Sequence, residues 1–249
     1  MSPNNTRLQG RRALVTGSTG GLGVAIAQTL AAEGAHVVVT GRDAERGGAV
    51  VAAIRAAGGA AEFVAADLGA GAGEVSRLVA AAGPVDILVN NAGLWSLPLP
   101  TADISEAALL ESYRTNVLAP FLLTGALAPA MVARGRGAVV NIGSITGFIG
   151  ADQSALYNST KAAVHSLTKS WAAEYGPSGV RVNAVAPGPI ATERALEAAD
   201  HVAPILARIP SRRMSTPEEA ASAVAFLASE DAGNIHGAIL SVDGGWAAT

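Results

Sequence analysis

Short runs of aliphatic and β-branched residues recur along the chain at "RRALVTG", "AHVVVTG", "AEFVAAD", "VDILVNN", "GAVVNIGS", "VRVNAVAP" and "AILSVDGG". Each run is continuous rather than alternating, the pattern of a strand covered on both faces. Between them lie Ala-rich segments with helical spacing of their apolar positions, at 22–33, 43–57, 73–82, 105–134, 155–175 and 217–229. Strand and helix alternate for the whole length, which predicts an α/β fold with one doubly wound parallel sheet of about seven strands and helices on both faces. No linker or compositional shift divides residues 1–249, so a single domain is expected. Pro120 and Pro129 fall inside the 105–134 segment and are expected to bend or break it. Residues 189–216, with three prolines and weak periodicity, read as a lid over a substrate and as the most mobile part of the chain.

Composition narrows the functional classes. Half of the 249 residues are hydrophobic, yet no uninterrupted apolar run approaches the roughly 18 residues of a membrane span. There is no cysteine, which excludes disulfides, thiolate metal sites and cysteine nucleophiles. The polar N-terminus "MSPNNTRLQGRR" lacks the apolar core of a signal peptide, and a cytoplasmic location is expected. A net charge of -3 offers no footprint for nucleic acid or an anionic membrane, so the expected partner is a small molecule. His36, His165, His201 and His236 show no ligand spacing and read as surface or packing residues, so no catalytic metal is expected.

Two local patterns carry chemistry. After the first strand, "VTGSTGGLGVAIAQTLAAEG" is a glycine-rich turn opening a helix. Glycines let the backbone turn and approach a ligand closely, and the free amides of a helix start attract phosphate. Directly after the first strand of an alternating α/β chain, this turn points to dinucleotide binding. In the helix "ALYNSTKAAVHSLTKSWAAEYG", Tyr157 and Lys161 are four residues apart and therefore neighbours on one face. A nearby cation favours phenolate, and the expected effect is a phenol pKa drawn down from roughly 10 towards neutrality, suited to acid/base work.

Gly17, Gly21 and Gly23 form a TGxxxGxG pattern, followed by "NNAG" at 90–93, Asn116, Ser144, "YNSTK" at 157–161 and "PGPIAT" at 187–192. In this order and separation the motifs resemble the short-chain dehydrogenase/reductase family over essentially the whole chain, within its 3-oxoacyl-[acyl-carrier-protein] reductase-like branch. The resemblance implies a Rossmann-type sheet and reversible hydride transfer between a nicotinamide and a carbonyl carbon. It casts Tyr157 as the acid/base, Lys161 as the residue that tunes it and binds the nicotinamide ribose, and Ser144 as the hydroxyl that holds the substrate carbonyl. Asn116 would complete a proton path. By the same resemblance the cofactor meets the turn residues Gly17, Ser18, Thr19, Gly20, Gly21, Leu22 and Gly23. Beyond the turn it meets Asp67 and Leu68, Asn90, Ala92 and Gly93, and Pro187, Gly188, Ile190 and Thr192.

The choice of coenzyme rests on the end of the second strand. A carboxylate there would accept both ribose hydroxyls and mark NAD. This chain has Gly41, then Arg42, whose guanidinium can pair with a 2'-phosphate, so NADP(H) is favoured. Asp43 follows at once, the glycine turn lacks a further basic residue, and NAD(H) stays open. By family position the substrate pocket comprises Leu94, Trp95, Ile145, Phe148, Ile149, Leu156 and Pro189, which suggests a ketone or secondary alcohol with an apolar body. A carrier-protein substrate would want basic residues beside the entrance, which Arg134 and Arg136 would supply on one side. Two other readings stand beside the NADPH-linked reductase: an NAD-dependent secondary alcohol or sugar dehydrogenase, and a dinucleotide-sensing regulatory protein that has no need of the four catalytic positions together. The family resemblance also implies a homotetramer or homodimer built on the 105–134 and 155–175 helices and the C-terminal strand.

Overall fold

The computed structural model describes residues 6–95, 98–152, 154–197 and 199–248. Seven strands form one sheet: β1 (Arg12–Val15), β2 (His36–Gly41), β3 (Ala60–Ala65), β4 (Ile87–Asn90), β5 (Gly137–Ile142), β6 (Val180–Pro187) and β7 (Ile239–Val242). Their order is β3-β2-β1-β4-β5-β6-β7, and every pairing is parallel. Between β1 and β4 the order reverses direction, which opens a crevice at the carboxyl ends of the strands. The aliphatic runs are continuous because helices cover both faces: Val37, Val38 and Val39 are all fully buried, although alternate side chains point to opposite sides.

On one face α1 (Gly21–Ala32), α2 (Ala44–Ala56) and α9 (Pro217–Ala228) enclose a core of Ile26, Leu30, Val37, Val39, Val224 and Leu227. On the other, α3 (Ala72–Ala82), α5 (Ala119–Ala133) and α6 (Ala155–Tyr175) bury Leu78, Leu123, Met131 and Trp171 against Leu14, Leu88 and Val182. Local chemistry fixes where helices begin. Asp43 caps α2 by accepting from the Arg46 amide, and Thr216 with Glu219 forms a capping box ahead of Pro217.

The segment expected to break at proline is interrupted elsewhere. α4 (Glu106–Tyr113) runs into a π-helical turn at Arg114–Leu118, and α5 follows without a gap. Pro120 lies in the first turn of α5, where a missing N–H costs little, and α5 continues through Pro129. The irregularity is centred instead on Asn116, whose side chain bonds outside its own helix. By length and mean hydropathy alone, Glu106–Ala133 would suffice to cross a membrane, but Leu123, Leu127 and Met131 lie in the core. Its other side carries the exposed Leu109, Leu110, Leu118 and Phe121. The 189–216 region forms two short helices, α7 (Glu193–Glu197) and α8 (Ala199–Leu206). Its base is closed by a bridge between Ile190 and Ser215.

Candidate active site

A cavity of about 870 Å³ occupies the crevice at the carboxyl ends of the strands, running from the end of β2 to α8. The turn after β1 forms one wall. Gly17 and Gly21 adopt φ of +63° and +52°, conformations that side chains disfavour. A Cβ on Gly23 would overlap the Gly17 carbonyl and come 2.6 Å from Asn91 Nδ2. Asn91 laces this turn to the β4 end by donating to the Thr16 and Gly17 carbonyls at 2.8 and 3.1 Å. The Thr16 hydroxyl accepts from the Asn91 and Ala92 amides, both at 2.9 Å. Gly20 opens α1 without a side-chain cap, so the first-turn amides remain available to a phosphate, and a Cβ on Gly20 would meet nothing within 4 Å. This bare backbone cradle fits a dinucleotide.

Most positions expected to meet the cofactor line the cavity: Gly17, Thr19, Gly20, Gly21, Leu22, Gly23, Arg42, Asp67, Leu68, Ala92, Gly93, Pro187, Gly188, Ile190 and Thr192. Two do not. Ser18 is fully buried, its hydroxyl donating to Val15 O at 2.7 Å and accepting from the Thr40 amide at 3.0 Å, so it shapes the turn from behind. Asn90 points into the core, where its amide donates to Asn141 Oδ1 at 2.9 Å and Thr124 Oγ1 at 3.3 Å. The next residue, Asn91, takes its place on the cavity wall.

At the β2 end, a Cβ on Gly41 would lie 2.5 Å from Thr19 Oγ1, so Thr19 fills the space a longer residue at 41 would need. Arg42 lines the cavity there together with Arg46, a second guanidinium that the glycine turn itself does not offer. Asp43 is engaged in capping α2 and pairs with Arg46 at 3.5 Å.

Ser144, Tyr157 and Lys161 converge on the opposite wall. Ser144 ends the β5 loop and caps the short turn that follows by accepting from the Thr146 amide at 3.2 Å. Its hydroxyl also bonds the Tyr157 phenol, which pulls the phenol pKa down, but burial outweighs that and pushes it up to about 12. The expected fall towards neutrality is therefore reversed in this structure. Lys161 Nζ donates to the Ile142 carbonyl at 2.8 Å and stands 5.6 Å from the Tyr157 ring centre, and burial lowers Lys161 itself to about 8. Gly93 lies beside this lysine: a Cβ there would sit 3.5 Å from Nζ, in ordinary contact. Asn116 stands one layer behind. Its Oδ1 accepts from the Leu94 amide at 2.7 Å, and its Nδ2 donates to Leu94 O and Thr160 Oγ1, both at 3.0 Å.

Of the expected substrate-pocket residues, Leu94, Trp95, Ile145 and Pro189 line the cavity. Phe148, Ile149 and Leu156 are outside its lining: Phe148 is turned to the surface against His165, and Leu156 is buried in the packed face of α6. Thr146, Ser154, Asn158, Val202, Ile205 and Trp246 also line the cavity, as do Glu111 of α4 and Glu193 of α7. Asn158 had a signal in its place beside Tyr157, whereas Trp246 comes from the far end of the chain and had none. Arg134 and Arg136 do not flank the entrance. They precede β5 and so lie at the amino ends of the strands, opposite the crevice, where Arg134 bonds Val85 O and pairs with Asp86. Among the described residues, no cluster of histidine, aspartate and glutamate has metal-binding geometry.

A family model for short chain dehydrogenase matches residues 11–202. The 3-oxoacyl-[acyl-carrier-protein] reductase FabG of Escherichia coli is 39% identical over 241 residues, 95% of this chain and 97% of that protein. Galactitol 2-dehydrogenase of Rhizobium johnstonii is 46% identical over 165 residues, a match that spans 64% of each chain. Among solved structures, a putative NAD(P) dependent gluconate 5-dehydrogenase from Beutenbergia cavernae, with bound NADP, superposes with a TM-score of 0.92. It is 42% identical and covers 98% of this chain and 100% of its own. With the motifs in place around one crevice, these matches identify the chain as a member of the short-chain dehydrogenase family, an NAD(P)-dependent oxidoreductase acting on CH–OH and C=O groups.

Proposed function

We infer that the protein reduces a ketone to a secondary alcohol with NADPH. The observation that carries this reading is the Tyr157 phenol, hydrogen-bonded to Ser144, standing with Lys161 on the wall of the same cavity as the glycine turn. A protonated phenol is a proton donor, which is what the oxygen of a reduced carbonyl requires. Ser144 and Tyr157 together supply two hydroxyl donors for that oxygen, preorganised against the charge that develops on it. Lys161, which burial makes readier to release its proton, lies beside the phenol for proton return, and Asn116 holds the Leu94 and Thr160 segments that flank this path. The bound nicotinamide supplies the hydride.

Preference for NADPH rests on Arg42 and Arg46 at the β2 end of the cavity and on the absence of a carboxylate at Gly41. The gluconate 5-dehydrogenase neighbour with bound NADP supports the same choice. The substrate reading is a neutral ketone with an apolar body, flanked by Leu94, Trp95, Ile145, Val202, Ile205 and Trp246, with Thr146, Ser154 and Asn158 for any further hydroxyl. Arg134 and Arg136 lie at the amino ends of the strands and so do not supply basic residues beside the entrance for a carrier-borne substrate. The reading also takes the exposed Leu109, Leu110, Leu118 and Phe121 as a subunit contact in a homotetramer.

The test is a screen of ketones with NADPH and of secondary alcohols with NADP and NAD, following the nicotinamide absorbance. Turnover of ketones with NADPH, lost by about 10²–10⁴-fold in Tyr157→Phe, is expected. Binding of either dinucleotide with no turnover of any carbonyl or alcohol would favour the sensor reading instead.

A further inference from the structure

One turn beyond Lys161 on α6, His165 is buried to 4% exposure, and the chemistry assigned so far makes no use of it. Its imidazole occupies a slot in the Ser144 loop. A Cβ on Gly143 would overlap Nε2, and one on Gly147 would come 2.6 Å from Cε1, so the glycines on either side of Ser144 are the space the ring needs. Inside the slot Nε2 accepts the Ser144 amide N–H at 3.4 Å. Phe148 covers the ring with centroids 4.5 Å apart. Nδ1 is buried and has no hydrogen-bond partner among the described residues.

That arrangement is costly if the ring is only filler. A buried polar group left unpaired costs about 1–3 kcal/mol, and Leu or Phe would fill the same space without it. What the imidazole offers and they do not is an acceptor for the backbone of Ser144. Because Nε2 accepts, the hydrogen of a neutral ring is on Nδ1. Burial, with Lys161 and Lys169 nearby, keeps the ring neutral by lowering its pKa to about 4. Tyr157, Lys161 and His165 follow one another at four-residue spacing on one face of α6. The ring thus joins the helix that carries the phenol to the loop that carries the serine.

We propose that His165 is a positioning residue: its Nε2 locks the Ser144 loop to α6, so that the Ser144 and Tyr157 hydroxyls meet the same substrate oxygen. This rests on the role given to Ser144 above. A misplacement of about 1 Å at such a pair can cost on the order of 10²-fold in rate.

His165→Phe, His165→Gln, Ser144→Ala and the double variant H165F/S144A are compared for NADPH affinity and for kcat and KM on the ketone that turns over fastest. H165F is expected to lose roughly 10- to 100-fold in kcat with NADPH affinity held within about 2-fold. H165Q, whose side-chain carbonyl can accept the Ser144 amide, is expected to recover most of kcat. In the Ser144→Ala background H165F should cost nothing further, because its effect passes through Ser144. Equal losses in H165F and H165Q, or losses that multiply in the double variant, overturn the proposal in favour of packing. Full kcat in Ser144→Ala removes the reading on which it rests; loss there with none in H165F removes the proposal alone. Should H165F fail to bind NADPH, nitrogen NMR of the histidine-labelled native protein decides: a neutral ring protonated on Nδ1 supports the lock, and an Nε2–H tautomer or a cation overturns it.

Discussion

Lys161 donates to the Ile142 carbonyl at 2.8 Å while standing 5.6 Å from the centre of the Tyr157 ring, so its hydrogen bond serves the sheet. Burial makes both groups prefer their neutral forms, and this leaves a signature in stability. Lys161 is lowered from 10.5 to about 8, so between those values the unfolded chain holds a proton that the folded chain has released. Stability therefore rises with pH from about 8. Tyr157 acts the opposite way. Raised from 10.0 to about 12, it keeps a proton that the unfolded chain loses, and its contribution is lost between those values. The expected profile of the cofactor-free protein climbs from about pH 8 to about pH 10 and then falls. Urea denaturation across this range checks it, with Lys161→Met expected to flatten the climb.

Arg42 and Arg46 bear on coenzyme choice separately from chemistry. Each single Ala variant should weaken NADPH binding by roughly 10- to 100-fold, the loss of one charge-assisted contact, and leave NADH binding within about 2-fold. Fluorescence titration with the two coenzymes measures both. Equal weakening of NADH would show that these arginines hold adenine or shape α2, not a 2'-phosphate.

Asn116 makes three hydrogen bonds to two other segments, and Asn116→Ala leaves the Leu94 amide and Thr160 hydroxyl to find new partners. A loss of about 1–3 kcal/mol in folding stability is expected, read from denaturant midpoints.

Phe121 is exposed on α5 beside Trp171 of α6, with ring centroids 5.9 Å apart, and Leu118 is exposed one turn earlier. If these helices form the subunit contact, Phe121→Asp should reduce the particle mass seen by light scattering while the monomer fold, followed by circular dichroism, persists. An unchanged mass for Phe121→Asp and Leu118→Asp together would place the contact elsewhere.

The sheet could be read from the sequence because a parallel strand buried on both faces leaves an unbroken aliphatic run; each of the seven runs became a strand, although the edge strands β3 and β7 are only partly buried. The glycine turn and the Tyr157–Lys161 pair were legible by spacing and Ser144 through the family resemblance, and they do share one cavity. What escaped depends on direction. Asn90 and Asn91 are adjacent and alike, yet successive side chains at a strand end face opposite sides, and only Asn91 meets the cavity. Arg134 and Arg136 are well separated from the site because they precede their strand, whereas the crevice lies where strands end. The rise in the Tyr157 pKa reflects desolvation by burial in the folded chain, which no four-residue spacing records. His165 looked like packing because its partner is a backbone amide 21 positions away.

The π-helical turn at Arg114–Leu118 adds about one residue to a helical turn, and one residue corresponds to about 100° of rotation. α4 and α5 are therefore a single rod with two phases: α4 directs Glu111 to the cavity, while α5 directs Leu123 and Met131 to the core. Deleting one residue within the turn would restore ordinary helical phase without shortening the rod appreciably. It would also act as a rotary shift, turning α4 out of register with the crevice while α5 stayed seated. Length variation of a single residue at this point is then a change of aim, and chains of this fold that differ there should differ in which side chains face their substrates.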